Sequence, residues 1–194
     1  MNRAAEPRLF FMAMPSRAWV EEMRGLLARL GLDKRLRGAL FAPTNWHQSF
    51  SERIFSPSEE QCAALLKVGA AVSASACTLH FNRIEGRVDA PGRIHWTMHA
   101  RGVPKAFTAL SQEVRSRLRD AGSANIATGV RPHMTLSYCA REPLDKTVLD
   151  PPVAWSINEL CLAIGGGSPY GYEVIGRWRL LPEADPSATH PSLF

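Results

Sequence analysis

Twice along this chain a strand-like run leads into an amphipathic helix and then into a short segment where histidine precedes a hydroxyl residue by two positions. The first pass is Leu9 to Met14, then a helix opened by Pro15-Ser16. Its Trp19, Val20, Met23, Leu26, Leu27 and Leu30 recur at helical spacing until Gly31, and His47-Gln48-Ser49-Phe50 follows. In the second pass Ile94, Trp96, Met98 and Ala100 alternate with His95, Thr97 and His99. A helix marked by Phe107, Leu110, Val114, Leu118 and Ala121 follows Pro104 and ends at Gly122, and then comes His133-Met134-Thr135-Leu136. Such an echo constrains the chain to a duplicated α+β unit. A strand repeats its side-chain direction every second residue, so each histidine shares a face with its own hydroxyl. Brought together, the two segments would place an acid, a base and two hydrogen-bond donors around one phosphate, sufficient for metal-free phosphoester cleavage.

Between and beyond these passes the sequence predicts further elements. His47 to Ile54 reads as one strand. Ser56-Pro57-Ser58-Glu59 reads as a capping box with proline at the first helical position, opening a helix through Leu65, Leu66 and Val68. Cys77, Leu79 and Phe81 alternate with Thr78, His80 and Asn82 and should pair with the Ile94 strand about a turn near Pro91-Gly92. Glu159 to Ile164 and Tyr172 to Leu181 read as strands joined by a flexible loop, Gly165 to Pro169. A doubly wound nucleotide fold is disfavoured, because no glycine-rich turn links the first strand to its helix.

With 194 residues and 45% hydrophobic content the chain can bury a substantial core as one domain of two packed lobes. The ordered body is expected over residues 8–181, with 1–7 and 182–194 as loose tails. Six apolar residues from Leu9 to Met14 are too few for a membrane span or a secretory core, so no membrane association is expected. The four cysteines lack CxxC spacing and sit among apolar neighbours, which reads as buried free thiols in a reducing cytoplasm. A net charge of +5 and pI near 9.3 favour a polyanionic partner. The local clusters Lys34, Arg35, Arg37 and Arg115, Arg117, Arg119 read, taken singly, as solvated helix faces.

The two-residue spacing is not specific, since His95-Trp96-Thr97 and His190-Pro191-Ser192 satisfy it as well. His190 falls in a proline-rich tail without a scaffold, and His95 lies on the polar face of a half-buried strand. By pattern alone, His47 and His133 stand between a catalytic pair and two ordinary strand histidines satisfied by backbone partners. A metal site built on His47, His133 and His95 is disfavoured by the absence of close-spaced ligand pairs.

Taken with its flanks, the chain resembles the two-histidine (2H) phosphoesterase superfamily, in particular the bacterial RNA 2′,3′-cyclic phosphodiesterase or 2′-5′ RNA ligase family. The resemblance rests on Arg8-Leu9-Phe10-Phe11-Met12-Ala13-Met14-Pro15, the two His-x-Ser/Thr motifs, Arg93-Ile94-His95-Trp96, Arg131-Pro132 before His133, and Tyr172-Glu173-Val174-Ile175 with Trp178. It implies a bilobal, pseudo-twofold α+β fold with two antiparallel sheets flanked by helices around a central cleft. His47 and His133 would be catalytic, and Ser49 and Thr135 would bind the phosphate. Neutral His133 would activate water while protonated His47 protonates the leaving oxygen.

Three departures bear on substrate. Serine replaces the usual threonine in the first motif, Ser51-Glu52-Arg53 follows it where these enzymes tend to be apolar, and Tyr138 stands where they often carry an arginine. A missing guanidinium would have to be replaced by Tyr138, Arg53 or Arg131. These three and Trp46 are the possible substrate contacts. The expected activity is metal- and cofactor-independent hydrolysis of a 2′,3′-cyclic phosphate, on an RNA 3′ end or a nucleotide, to the 2′-phosphate. The protein would act as a cytoplasmic monomer. Alternatives are a non-catalytic RNA or nucleotide binder of the same fold, and an enzyme acting on a small cyclic phosphate or a 2′-5′ oligonucleotide.

Overall fold

The structure, a computed structural model, describes residues 5–183. Thirteen helices and strands follow in order: β1 (Ala5–Ala13), α1 (Arg17–Arg29), α2 (Leu32–Leu36), β2 (Gln48–Ser49), β3 (Ile54–Phe55), α3 (Glu59–Ala71), β4 (Cys77–Ala90), β5 (Arg93–Ala100), α4 (Lys105–Asp120), β6 (His133–Ser137), β7 (Leu144–Ile157), β8 (Glu159–Gly167) and β9 (Gly171–Arg179). They build two antiparallel sheets. One runs β2-β1-β8-β9 with β3 also on β1, and the other runs β6-β5-β4-β7. The duplication is therefore real: β1–α1–β2 and β5–α4–β6 are equivalent, and each motif strand pairs antiparallel with the first strand of its own unit.

Aromatic packing interlocks the lobes. Trp19 of α1 lies 5.7 Å from Trp155 and 6.1 Å from Phe81, on the second sheet, and its Nε1 donates to the Ala154 carbonyl at 2.7 Å. Phe107 of α4 packs 5.4 Å from Phe50, beside the first sheet. Each duplicated unit thus covers the other unit's sheet with its helix. Burying Trp96, Phe10, Phe11, Phe50, Phe81 and Phe107 completely removes several large apolar side chains from water, each worth roughly 1.5–3 kcal/mol.

Four expectations are corrected. The His47 to Ile54 strand is broken into β2 and β3. The Ser51 hydroxyl supplies the break, accepting from Phe11 N at 3.0 Å where a strand carbonyl would otherwise serve. The cap of α3 is Ser58, boxed with Gln61, so Pro57 precedes the helix. Gly165 to Gly167 belong to β8 and form no loop, because Gly165 leaves room for Tyr170 and Tyr172: a Cβ there would lie 2.2 Å from the Tyr170 hydroxyl. Of the cysteines, only Cys77 and Cys161 are buried; Cys62 is half-buried and Cys139 exposed, all four as free thiols.

Strand β7 went unanticipated, hidden by Pro151-Pro152 and a run of charges. It is an edge strand, where proline is tolerated. Its register on β4 jumps from Phe81↔Val153 to Arg83↔Val148, so the prolines lie in a bulge and cost no ladder bonds. At the termini, residues 5–7 belong to β1, with Ala5 opposite Gly167, and Glu183 accepts from Thr78 at 2.8 Å. Both segments were expected in the tails. The remainder of those tails, with His190, lies outside the described residues. No described helix is long and apolar enough to cross a membrane.

Candidate active site

The first motif alternates strictly: Trp46, Gln48 and Phe50 are buried, while His47 and Ser49 between them are half-exposed. Ser49 sits opposite Met12, so it shares a sheet face with Met12 and Phe10. The His47 ring rests edge-on between Phe10, 5.4 Å away, and Tyr172, 5.1 Å away. Its Nδ1 is 2.8 Å from the carbonyl of Asn45, two residues back.

The second motif repeats this arrangement. Met134 and Leu136 are buried, His133 and Thr135 half-exposed, and His133 Nδ1 lies 2.8 Å from the carbonyl of Arg131, again two residues back. A carbonyl only accepts, so in each neutral ring the proton resides on Nδ1 and Nε2 is left with a free lone pair. Such a ring can take a proton at Nε2 or, once protonated, donate one there.

Gln48 links the two motifs. Fully buried, its Oε1 accepts from His133 N at 2.8 Å, and its Nε2 donates to Arg131 O at 3.2 Å and to Ser49 O at 2.8 Å. The side-chain amide fills the place a neighbouring strand would take, joining the edge strands β2 and β6 where backbone pairing is absent. The residue between His47 and Ser49 thereby grips the backbone of His133, and also the carbonyl that orients its ring. That contact sets the two motifs side by side, close enough for the His133 charge to act on His47.

A bulge on β4 between Phe81 and Arg83 determines what faces His133. Before it, Cys77, Leu79 and Phe81 point into the core; after it Ile84 does, so Arg83, Glu85 and Arg87 turn to the other face. There they stand opposite His99, Thr97 and His95 of β5, and His99 and Thr97 stand in turn opposite His133 and Thr135. Glu85 is bridged by Arg83 at 2.5 Å and Arg87 at 2.6 Å, which holds its carboxyl below the usual range.

Burial pushes the His47 imidazole down from 6.5 to about 4, with the charges of Arg53 and His133 adding to the effect against the Asn45 carbonyl. His99 is also lowered, chiefly by burial. At neutral pH the unliganded protein therefore holds His47 uncharged. That opposes the acid role expected for it from sequence.

The remaining candidates are distributed unevenly. Arg53 lies with its guanidinium 5.1 Å from the Phe10 ring, and Tyr138 packs 5.0 Å from Phe41 just beyond the end of β6. Both line a cavity of about 190 Å³ with Arg8, Phe41, Asn45, Tyr170 and Tyr172. The strand end turns Tyr138 toward that cavity, where a continued strand would direct it away. Trp46 is not a surface contact: it is fully buried and packs 6.4 Å from Trp19. The Arg131 side chain is exposed, and it is the Arg131 carbonyl that serves the site. His95 packs 4.6 Å from Tyr138 and 3.6 Å from Asp89, away from the His47 ring contacts. Among the described residues no three His, Cys, Asp or Glu side chains are grouped to hold a metal ion.

Gln48, Phe10, Tyr172 and Arg8 were not named as site residues from sequence. Only Gln48 carried a signal, as the one polar residue at a core position of its alternation. No family model matches the chain, and no curated protein sequence does. Solved structures do. E. coli LigT bound to 3′-AMP superposes with a TM-score of 0.70 at 19% identity, covering 91% of this chain and 99% of LigT. A crystal structure described as a phosphoesterase gives 0.68 at 20% identity over 90% and 98%. TT0787 of Thermus thermophilus gives 0.69 at 18% identity over 91% and 100%. The chain has the fold that these three proteins share.

Proposed function

We propose that this chain is a 2H phosphoesterase that hydrolyses a 2′,3′-cyclic phosphate, on an RNA end or a nucleotide, without a metal. The observation that carries the reading is the repeated clamp. Two histidines, each with Nδ1 on the carbonyl two residues back and Nε2 free, are joined through Gln48. The LigT fold supports a phosphoesterase or ligase type of activity, and LigT itself has been crystallised with 3′-AMP, ATP and NADP+, which supports a nucleotide substrate.

In the proposed reaction neutral His47 takes a proton from water through Nε2 as the water oxygen attacks phosphorus. The bond from phosphorus to the ribose 3′ oxygen breaks, and protonated His133 delivers its Nε2 proton to that oxygen, leaving a 2′-phosphomonoester and a 3′-hydroxyl. This reverses the roles expected from sequence, because His47 is uncharged at neutral pH and has no Nε2 proton to donate. Ser49 and Thr135 donate to the non-bridging oxygens. Arg53, beside His47, supplies the guanidinium absent at Tyr138.

The test is turnover of adenosine 2′,3′-cyclic phosphate in chelator, with the product isomer identified. Hydrolysis to the 2′-phosphate is expected. Salt-dependent RNA binding without hydrolysis of any cyclic phosphate would leave a binding protein of the same fold.

A further inference from the structure

The cavity beside His47 has the wrong chemistry for a place that merely packs. Its lining includes two guanidiniums, Arg8 and Arg53, and three tyrosines, and no acidic residue. Arg8 Nε is buried and without a hydrogen-bond partner, its guanidinium held between the rings of Phe55, 5.4 Å away, and Tyr170, 5.9 Å away. Among the described residues neither arginine has a carboxylate partner. Two like charges converging on one half-buried space repel each other unless an anion enters.

Register fixes where that anion sits. Arg8, Gly165 and Tyr172 are partners across β1, β8 and β9, on the face that carries Phe10, Met12 and Ser49. Arg8 is four residues from Met12, the partner of Ser49, which along an extended strand is about 13 Å. That separation leaves room for a second phosphate beside one held by Ser49. None of His47, Ser49, His133 and Thr135 lines the cavity, which adjoins His47 through Tyr172, Asn45 and Arg53. At about 190 Å³ it falls below the range of whole small-molecule sites, roughly 300–1,000 Å³, so it suits one group of a larger ligand. The missing Cβ of Gly165 opens its tyrosine wall.

We infer that this cavity is a subsite for a second phosphate of the substrate, read by Arg8 with the Tyr170 and Tyr172 hydroxyls, next to the phosphate being cleaved. The inference rests on the reading of the histidine cleft as the place of the scissile phosphate. It makes the preferred substrate a cyclic phosphate bearing another phosphate, either a 5′-phosphate on the same nucleotide or the next linkage of an oligonucleotide.

Calorimetry on the whole chain with non-hydrolysable ligands tests it without turnover. Adenosine 3′,5′-bisphosphate, or the dinucleotide ApAp, should bind at least about tenfold more tightly than 3′-AMP, the scale of a charge-assisted contact. An advantage for the bisphosphate assigns the group to a 5′-phosphate, and an advantage for ApAp alone assigns it to an internucleotide linkage. Arg8→Gln should erase the advantage while leaving 3′-AMP affinity unchanged, and Arg8→Lys should keep part of it. Equal affinities for all three ligands in the wild-type chain would overturn the subsite, as would a full advantage retained by Arg8→Gln. An inactive chain that kept the preference would count against the phosphodiesterase reading and not against the subsite.

Discussion

In the first sheet His47 lies against Phe10 and Tyr172 with an apolar floor of Met12, Cys161 and Ala163, whereas in the second His133 stands opposite His99, beyond which Glu85 is bridged by two arginines. The backbone clamp on each ring is the same: 2.8 Å to the carbonyl two residues back. Duplication has kept the local geometry and let the surroundings diverge. The clamp fixes which nitrogen works, and at His47 the surroundings also fix the charge that nitrogen carries at rest. An apolar floor is why burial dominates His47, driving its imidazole to about 4.

The largest effect expected is on turnover. His47→Ala and His133→Ala should each lower the rate on a cyclic phosphate by about 10²- to 10⁴-fold, the contribution of a positioned acid or base. If the environments assign the roles, the two variants differ in their remaining pH dependence. Residual activity of His47→Ala should lose its acidic limb, and that of His133→Ala its basic limb. Steady-state rates across pH separate them, and the opposite pattern would restore the assignment expected from sequence. Equal, undiminished rates would remove both histidines from the mechanism.

How far this asymmetry was legible follows from what each residue needed. The alternation around both motifs, the three long helices α1, α3 and α4, and the duplication were readable because the burial period leaves a mark in the sequence. Trp96 alternating with His95 and Thr97 placed β5, and the echo of β1–α1–β2 placed the sheets' common plan. Three features left no such mark. Strand β7 hid because its prolines sit in a bulge, visible only once β4 is its partner. The second face of β4 depends on a one-residue slip at Arg83 that no periodicity announces. Arg8 and Tyr172 meet through Gly165, which pairs with both across strands far apart in the chain. Side chains on one strand follow from spacing, while partners across strands follow from register.

Gln48 is where the two halves of the comparison are held together, and its replacement is the next largest effect. Gln48→Leu keeps the bulk, leaves His133 N without a partner and removes one bond each to Arg131 O and Ser49 O, a loss of about 1–3 kcal/mol for the stranded donor. A lowered melting temperature is expected from that alone. A positioning role adds a second signature: kcat should fall further than KM rises, because Arg131 O also orients the His133 ring. Gln48→Glu should be at least as harmful, since a carboxylate can accept from His133 N and cannot donate to Arg131 O or Ser49 O. A melting-temperature change with an intact kcat would reduce Gln48 to a structural tie.

The smallest effect, and the sharpest for the comparison, is a shift of pH dependence with Arg53. His47 as base must be neutral, so kcat/KM falls as pH drops through its pKa in the free protein, about 4. The Arg53 charge helps hold that value down, although burial does most of it. Arg53→Gln removes a positive neighbour, eases protonation of the ring and should move the acidic limb to higher pH, whatever it does to the maximal rate. Stability follows the same sign. A histidine that titrates near 6.5 unfolded and about 4 folded binds fewer protons in the native state between those values, so stability is lost as pH falls through that window. His47→Gln, which cannot titrate, should flatten that loss in denaturant unfolding measured from about pH 7 down to about pH 4, and His133→Gln should leave the His47 part of it in place. A slope unchanged by His47→Gln would mean that the first ring is no more sheltered than an ordinary surface histidine, and the contrast between the two sites would then lie in their neighbours alone and not in the charge they carry.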